Sequence, residues 1–247
     1  MKLYQTEAIV LRASPVRDAD RVLVLFSPEC GRLRVWAHGA SRPTSRKRGA
    51  VQPLCRSRFL LERGREIDVI RQAEAVEEFS SLHDDLETFS LASYLCELVE
   101  GFTPEGQPNA RIYLLLLRVL RRLAGDRRDL LVRFFESRLL ALSGLRPELD
   151  VCTVCGECPV TPPLRFSPHL GGVLCGKCRA DGPQVIPCRP ATVQVLAKLL
   201  DWPLDRLGRL RTDAATEQEL AAVLQASVCY QLEYEPKSLV FLRKLRG

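Results

Sequence analysis

The chain has 247 residues, 46% of them hydrophobic, with ten cysteines and a formal net charge of +6. That length and apolar content support one or two packed cores and exclude a disordered or collagen-like chain. The longest apolar run, residues 112–117, stops at Arg118, far short of the ~20 residues that span a bilayer.

The start of the chain reads as strands. Residues 4–11, 21–26, 31–37, 55–62 and 66–76 are short runs rich in Val, Ile, Leu and Phe, and turn residues such as Pro15, Pro28, Gly39, Pro53 and Gly64 separate them. Residues 21–26 are apolar on both faces, which suits a strand covered on both sides. Residues 32–36 alternate Arg with Leu or Val, so one face is basic and the other apolar. Five short strands with longer loops predict a small barrel of the OB type, a common carrier of oligonucleotide sites. A small SH3-like barrel fits the pattern nearly as well.

Charge is concentrated in the same region. Residues 1–73 hold 15 Lys/Arg against 7 Asp/Glu, whereas the other 174 hold 21 against 23. Between residues 30 and 61 lie Arg32, Arg34, Arg42, Arg46, Lys47, Arg48, Arg56 and Arg58, with no acidic residue among them. A field this one-sided favours a polyanion such as nucleic acid, and these eight are the candidate DNA-binding residues. Residues 38–49, marked as a loop by Gly39, Pro43 and Gly49, suit phosphate contacts that carry no sequence information. Trp36 and Phe59 are either stacking platforms for unpaired bases or parts of the barrel core.

Near residue 80 the apolar period changes from two to that of a helix. Ser80 and Ser81 are expected to cap it, with Asp84 and Asp85 in its first turn compensating the helix dipole. Leu82, Leu86, Phe89, Ala92, Leu95 and Val99 then recur at helical spacing until Gly101 and Pro104. Further amphipathic faces run from Ile112 to Leu123 and from Leu131 to Leu142, the second closed by Gly144 and Pro147. Residues 191–200 and 216–234 are again helical in pattern. The fold class is therefore α+β. Residues 1–79 are expected to form a basic barrel, of the OB type or else SH3-like, and residues 80–247 a helical domain with a four-cysteine zinc finger inserted at about 150–180.

Cys152, Cys155, Cys175 and Cys178 give the spacing C-x2-C-x19-C-x2-C, which matches two zinc knuckles. Soft thiolates suit a single tetrahedral Zn2+, and Gly156 and Gly176 are expected to provide tight turns of positive φ. Cys158 extends the first knuckle, so a different ligand set stays conceivable. Four thiolates fill the coordination shell, which makes the zinc structural rather than catalytic. The histidines His38, His83 and His169 lack the H-x-E context of a nucleobase deaminase. No P-loop, dinucleotide fingerprint, nucleophile elbow or K-x-D-G ligase motif occurs. No catalytic constellation emerges, and the chain reads as a binding protein.

Several segments in combination resemble the RecO family of bacterial DNA repair proteins. They are residues 7–11, 20–27 and 31–35, then Ala37-His38-Gly39-Ala40 and Ser45 to Arg48. Residues 134–144 and 147–152, Phe166-Ser167-Pro168, residues 171–175 and Lys237-Ser238 follow. The resemblance implies a recombination mediator that binds single- and double-stranded DNA and anneals complementary strands. It further implies RecR as a partner, the acidic C-terminal tail of the single-stranded DNA-binding protein as another, and RecA loading through them. A cytoplasmic, nucleoid-associated location follows, consistent with an apolar start broken at Glu7, unlike a secretory signal. Readings from other classes are a metal-dependent nucleic-acid-modifying enzyme and a zinc-stabilised scaffold for acidic proteins.

Overall fold

The computed structural model describes residues 2–16, 19–42, 45, 47–125, 128–158, 162–179 and 185–246. The chain divides into two compact units, residues 1–126 with 236–247, and residues 127–235.

In the first unit, strands β1 (Leu3–Pro15), β2 (Arg21–Ser27), β3 (Gly31–Ala37), β4 (Arg56–Glu62) and β5 (Asp68–Glu77) form a closed barrel in the order β1-β2-β3-β5-β4. All neighbours are antiparallel except β3 and β5, where Val35 pairs with Asp68 and Trp36 with Val69. This is the Greek-key arrangement of an OB barrel. Alternation along each strand fills the interior with Ala8, Val10, Leu23, Leu25, Val35, Phe59, Leu61 and Ile70, all buried. Burial of each large side chain there contributes about 1.5–3 kcal/mol. Ala40 and Val51, from the long β3–β4 connection, join the same cluster.

The doubly apolar pattern of β2 is explained by helices α1 (Leu86–Phe102) and α2 (Ala110–Leu120), which pack on β1 and β2. Phe26, on the outer side of β2, meets the Tyr113 ring at 6.2 Å between centroids. Residues 80–82 form only a 3-10 turn, and α1 starts later than expected, at Leu86. Asp85 is its cap, accepting from the backbone N–H groups of Glu87 and Thr88, and the acid in the first turn is Glu87.

In the second unit, α3 (Arg128–Leu142), α4 (Pro190–Asp201) and α5 (Ala214–Leu232) pack on one another. Between α3 and α4 stands a small sheet, β7-β6-β8, built from β6 (Leu164–Ser167), β7 (Gly172–Leu174) and β8 (Ile186–Cys188). A final helix, α6 (Lys237–Arg246), packs on α1 in the first unit. Its first turn is capped from α1, where the Glu97 carboxylate accepts from the N–H groups of Lys237 and Ser238, both at 2.9 Å. Among the described residues, no helix is long and apolar enough to cross a membrane.

Candidate nucleic-acid interface and metal centre

The barrel distributes the seven of the eight basic residues that are described over different surfaces. β3 and β4 are not neighbours, so the stretch that is continuous in sequence is divided in space. On β3, Leu33 and Val35 face the core, and the intervening Arg32, Arg34 and Trp36 project outward. Arg34 is exposed and forms no ion pair among the described residues. Arg32 has a guanidinium nitrogen, Nε, that is buried without an acceptor. In the β3–β4 connection, Arg42 and Arg48 are exposed, whereas Lys47 is half-buried. Its ammonium donates to the Ile70 carbonyl at 2.8 Å, and burial together with the nearby Arg71 charge lowers its pKa. Arg46 lies outside the described residues.

The two arginines of β4 are engaged by carboxylates. Arg56 donates to Glu7 of β1 at 2.7 Å and to Glu77 of β5 at 3.2 Å. Arg121, at the end of α2, makes a second pair with Glu77 at 2.8 Å. The hydrogen bond from Arg121 and the charge of Arg56 hold the Glu77 carboxyl below its ordinary value. Arg58 faces Glu74 at 3.6 Å. Arg58 also lines a cleft of about 440 Å³ on β4 and β5, together with Lys47 and with Arg71, which is paired with Glu62. The acid-free window is thus neutralised on this side by acids that stand outside it in sequence.

Around β3 the charges are arranged differently. OB barrels present oligonucleotides to strands β2 and β3 and to the β1–β2 and β4–β5 loops. Here the first loop supplies Asp20. The second supplies the exposed Arg63 and Arg65, with the Arg63 guanidinium 5.4 Å over the Tyr4 ring. Neither arginine falls inside the acid-free window, which is why the linear charge count passes over them. The aromatic pair divides cleanly. Phe59 is fully buried in the core, and Trp36 is half-exposed on the outer face of β3.

In the second unit, the four predicted ligands do converge. The sulfurs of Cys152, Cys155, Cys175 and Cys178 all lie within 4.8 Å of one another. Cys155 and Cys175 are separated by 3.9 Å and Cys175 and Cys178 by 3.5 Å. A tetrahedron with Zn–S bonds of about 2.3 Å requires S···S separations of about 3.8 Å, so the donor set fits the ion. The knuckles are built from backbone. Gly156 N–H donates to the Cys152 carbonyl at 2.9 Å, and Thr153 N–H donates to Val173 of β7 at 3.0 Å, drawing the first knuckle onto the second. Burial opposes ionisation of Cys152, yet backbone N–H groups of Cys155, Cys175 and Val154 directed at its sulfur bring the thiol down to about 6. Arg165 donates to the carbonyls of Cys175 and Cys178 and ties β6 to the second knuckle.

Gly156 takes the expected positive φ, +72°. Gly176 does not: its place is set by Pro163, whose Cδ a Cβ there would approach to 2.8 Å. Cys158 is exposed and stands apart from the cluster. His169 also stays outside it, with Nδ1 2.6 Å from the Tyr230 hydroxyl.

A closed five-stranded barrel with exposed arginines, in one chain with helices and four clustered cysteines that could hold a metal ion, is an α+β arrangement of a kind that oligonucleotide-binding folds share. Comparison with known proteins narrows the class. Residues 1–79 match the family described as "Recombination protein O N terminal", and residues 83–239 match "Recombination protein O C terminal". The chain belongs to the recombination protein O family. Among its relatives, the DNA repair protein RecO of Desulforudis audaxviator is 68% identical over 99% of this chain and 98% of its own length. That of Pelotomaculum thermopropionicum is 47% identical over 98% and 94%, and that of Desulforamulus reducens 40% over 99% and 96%. A general role in DNA repair and recombination goes with this membership.

Proposed function

We propose that this protein is a non-catalytic recombination mediator. It binds single- and double-stranded DNA, anneals complementary strands and, with RecR, helps load recombinase. The observation that carries the reading is the cationic outer face of β3 on an OB barrel, where Arg34 is exposed and free of ion pairs among the described residues. Arg32 stands on the same strand face, the exposed Arg42 and Arg48 belong to the β3–β4 connection, and Arg46 is assigned to the site from sequence. Lys47, Arg56 and Arg58 have partners within the barrel and serve the fold first.

Phosphate contacts of this kind provide affinity with little sequence preference. Neutralising both backbones lowers the repulsion between two strands, which is the physical requirement for annealing. The partners are RecR, the acidic tail of the single-stranded DNA-binding protein and, indirectly, RecA. One Zn2+ held by Cys152, Cys155, Cys175 and Cys178 braces the second unit and supplies folding energy rather than rate.

The test is anisotropy of labelled single- and double-stranded oligonucleotides across a salt series, with annealing assayed without nucleotide or Mg2+. Affinity is expected to fall linearly in log–log form as salt rises, and annealing to need neither cofactor. Turnover of a base or phosphodiester would instead establish an enzyme. Binding of an acidic peptide without DNA affinity would establish a scaffold.

A further inference from the structure

Along the outer face of β3 and its extension, Arg32, Arg34, Trp36 and His38 follow at every second residue, about 7 Å apart. Trp36 pairs in register with Val22 of β2 and Val69 of β5, both half-buried. Trp36 is therefore flanked on both neighbouring strands by partly exposed apolar residues.

One carboxylate organises this place. Asp20 Oδ2 accepts from Trp36 Nε1 at 3.0 Å and meets His38 Nδ1 at 2.8 Å, while Oδ1 accepts from Gly39 N–H at 2.7 Å. The indole and imidazole rings are 5.6 Å apart. Gly39, at φ +62°, turns the chain so that the Arg42 stem lies over it, 3.5 Å from where a Cβ would stand. The His38 side chain is 59% exposed, and that of Asp20 only 27%. The polar edge of the indole is thereby fixed, and Trp36 stays half-exposed.

Bases in a duplex are stacked on one another, whereas an unpaired base can lie on an aromatic ring of a binding face. We infer that Trp36, assisted by His38, is a stacking platform for unpaired bases, and that Asp20 is the positioning residue that holds it. Arg34 and Arg42 flank the platform and take the phosphates on either side. The platform gives the β3 face its discrimination between single strand and duplex. This inference rests on the reading of that face as the DNA interface.

The chain has two tryptophans, Trp36 and Trp202, so the Trp202→Phe variant leaves Trp36 as the only indole reporter. Oligo(dT) is expected to quench its emission along the same curve that anisotropy of labelled oligo(dT) follows, and duplex of equal length to bind without quenching. Trp36→Ala should weaken oligo(dT) binding by about 5- to 150-fold with duplex affinity nearly unchanged, and Trp36→Phe should recover most of the loss. Asp20→Asn should reduce both the quench and the oligo(dT) affinity while duplex affinity stays, a pattern that general destabilisation would not produce. Oligo(dT) binding without any quench, or equal losses for single strand and duplex in Trp36→Ala, would overturn the platform while leaving the interface standing. No binding of either DNA by the parent chain would overturn both.

Discussion

The barrel and the cysteine module solve the same problem in different ways. The barrel closes its hydrogen-bond ladder on itself and fills the inside with a continuous apolar cluster. The module has three short strands: Cys152, Leu174 and Cys175 form a small buried cluster with Cys178 and Val185 against it, and Leu164, Phe166, Val173 and Cys188 of the same strands are also buried. This is a small interior to set against the entropy of ordering some thirty residues at about 1–2 kcal/mol each. Two of the four ligand cysteines, Cys152 and Cys175, belong to that interior, so a bound metal is expected to contribute to the module's stability. In the barrel the core is separate from the surface, which leaves the outside free to carry a binding face.

The largest effect expected from this difference is on metal. Replacing Cys152 and Cys175 with Ser should take zinc from one per chain to none. The forfeited binding energy is on the order of 10–16 kcal/mol. Hydrogen exchange should then lose protection between residues 150 and 178 but not in β1–β5. Protection retained in the module would mean that the cysteines do not carry its fold. Phe59→Ala, which empties the middle of the barrel, should cost about 3–5 kcal/mol in denaturant unfolding of the first unit and leave zinc content alone. A cost below about 1 kcal/mol would show that the interior relaxes to fill the gap.

The smallest effect concerns Glu77, which is held by Arg121 and Arg56 below its ordinary value of 4.5. A depressed carboxylate contributes stability that is present above the unfolded value and drains away as pH falls through the folded one. Glu77→Gln should therefore destabilise the first unit by about 0.5–1 kcal/mol near neutrality, and the gap from the parent should close as pH falls below that ordinary value of 4.5. A gap independent of pH would assign the loss to packing instead.

The strands of the barrel were legible because alternation of apolar and polar residues reports directly on a surface with an inside and an outside. The C-x2-C pairs were legible because ligand geometry imposes a fixed spacing. What escaped has physical causes. The strands β6–β8 are three or four residues long, too short to show a period. Helix α6 takes its cap from Glu97, far away in sequence. The carboxylates that engage Arg56 and Arg58 stand on β1 and β5, so a charge count along the chain cannot register them. Asp20 gave no signal either, because its three contacts exist only once the β1–β2 loop is folded over β3.

On the proposed function, DNA is held on the β3 side of the barrel and the β4 arginines serve structure. This is tested most directly by comparing Arg34→Ala/Arg42→Ala with Arg56→Ala/Arg58→Ala in single-stranded DNA binding across a salt series. The first pair should weaken binding uniformly across sequences and reduce the log–log salt slope by roughly 1.4, with thermal stability unchanged. The second should lower stability and leave the slope as it was. The reverse assignment, slope lost with Arg56 and Arg58 and kept without Arg34 and Arg42, would contradict the account.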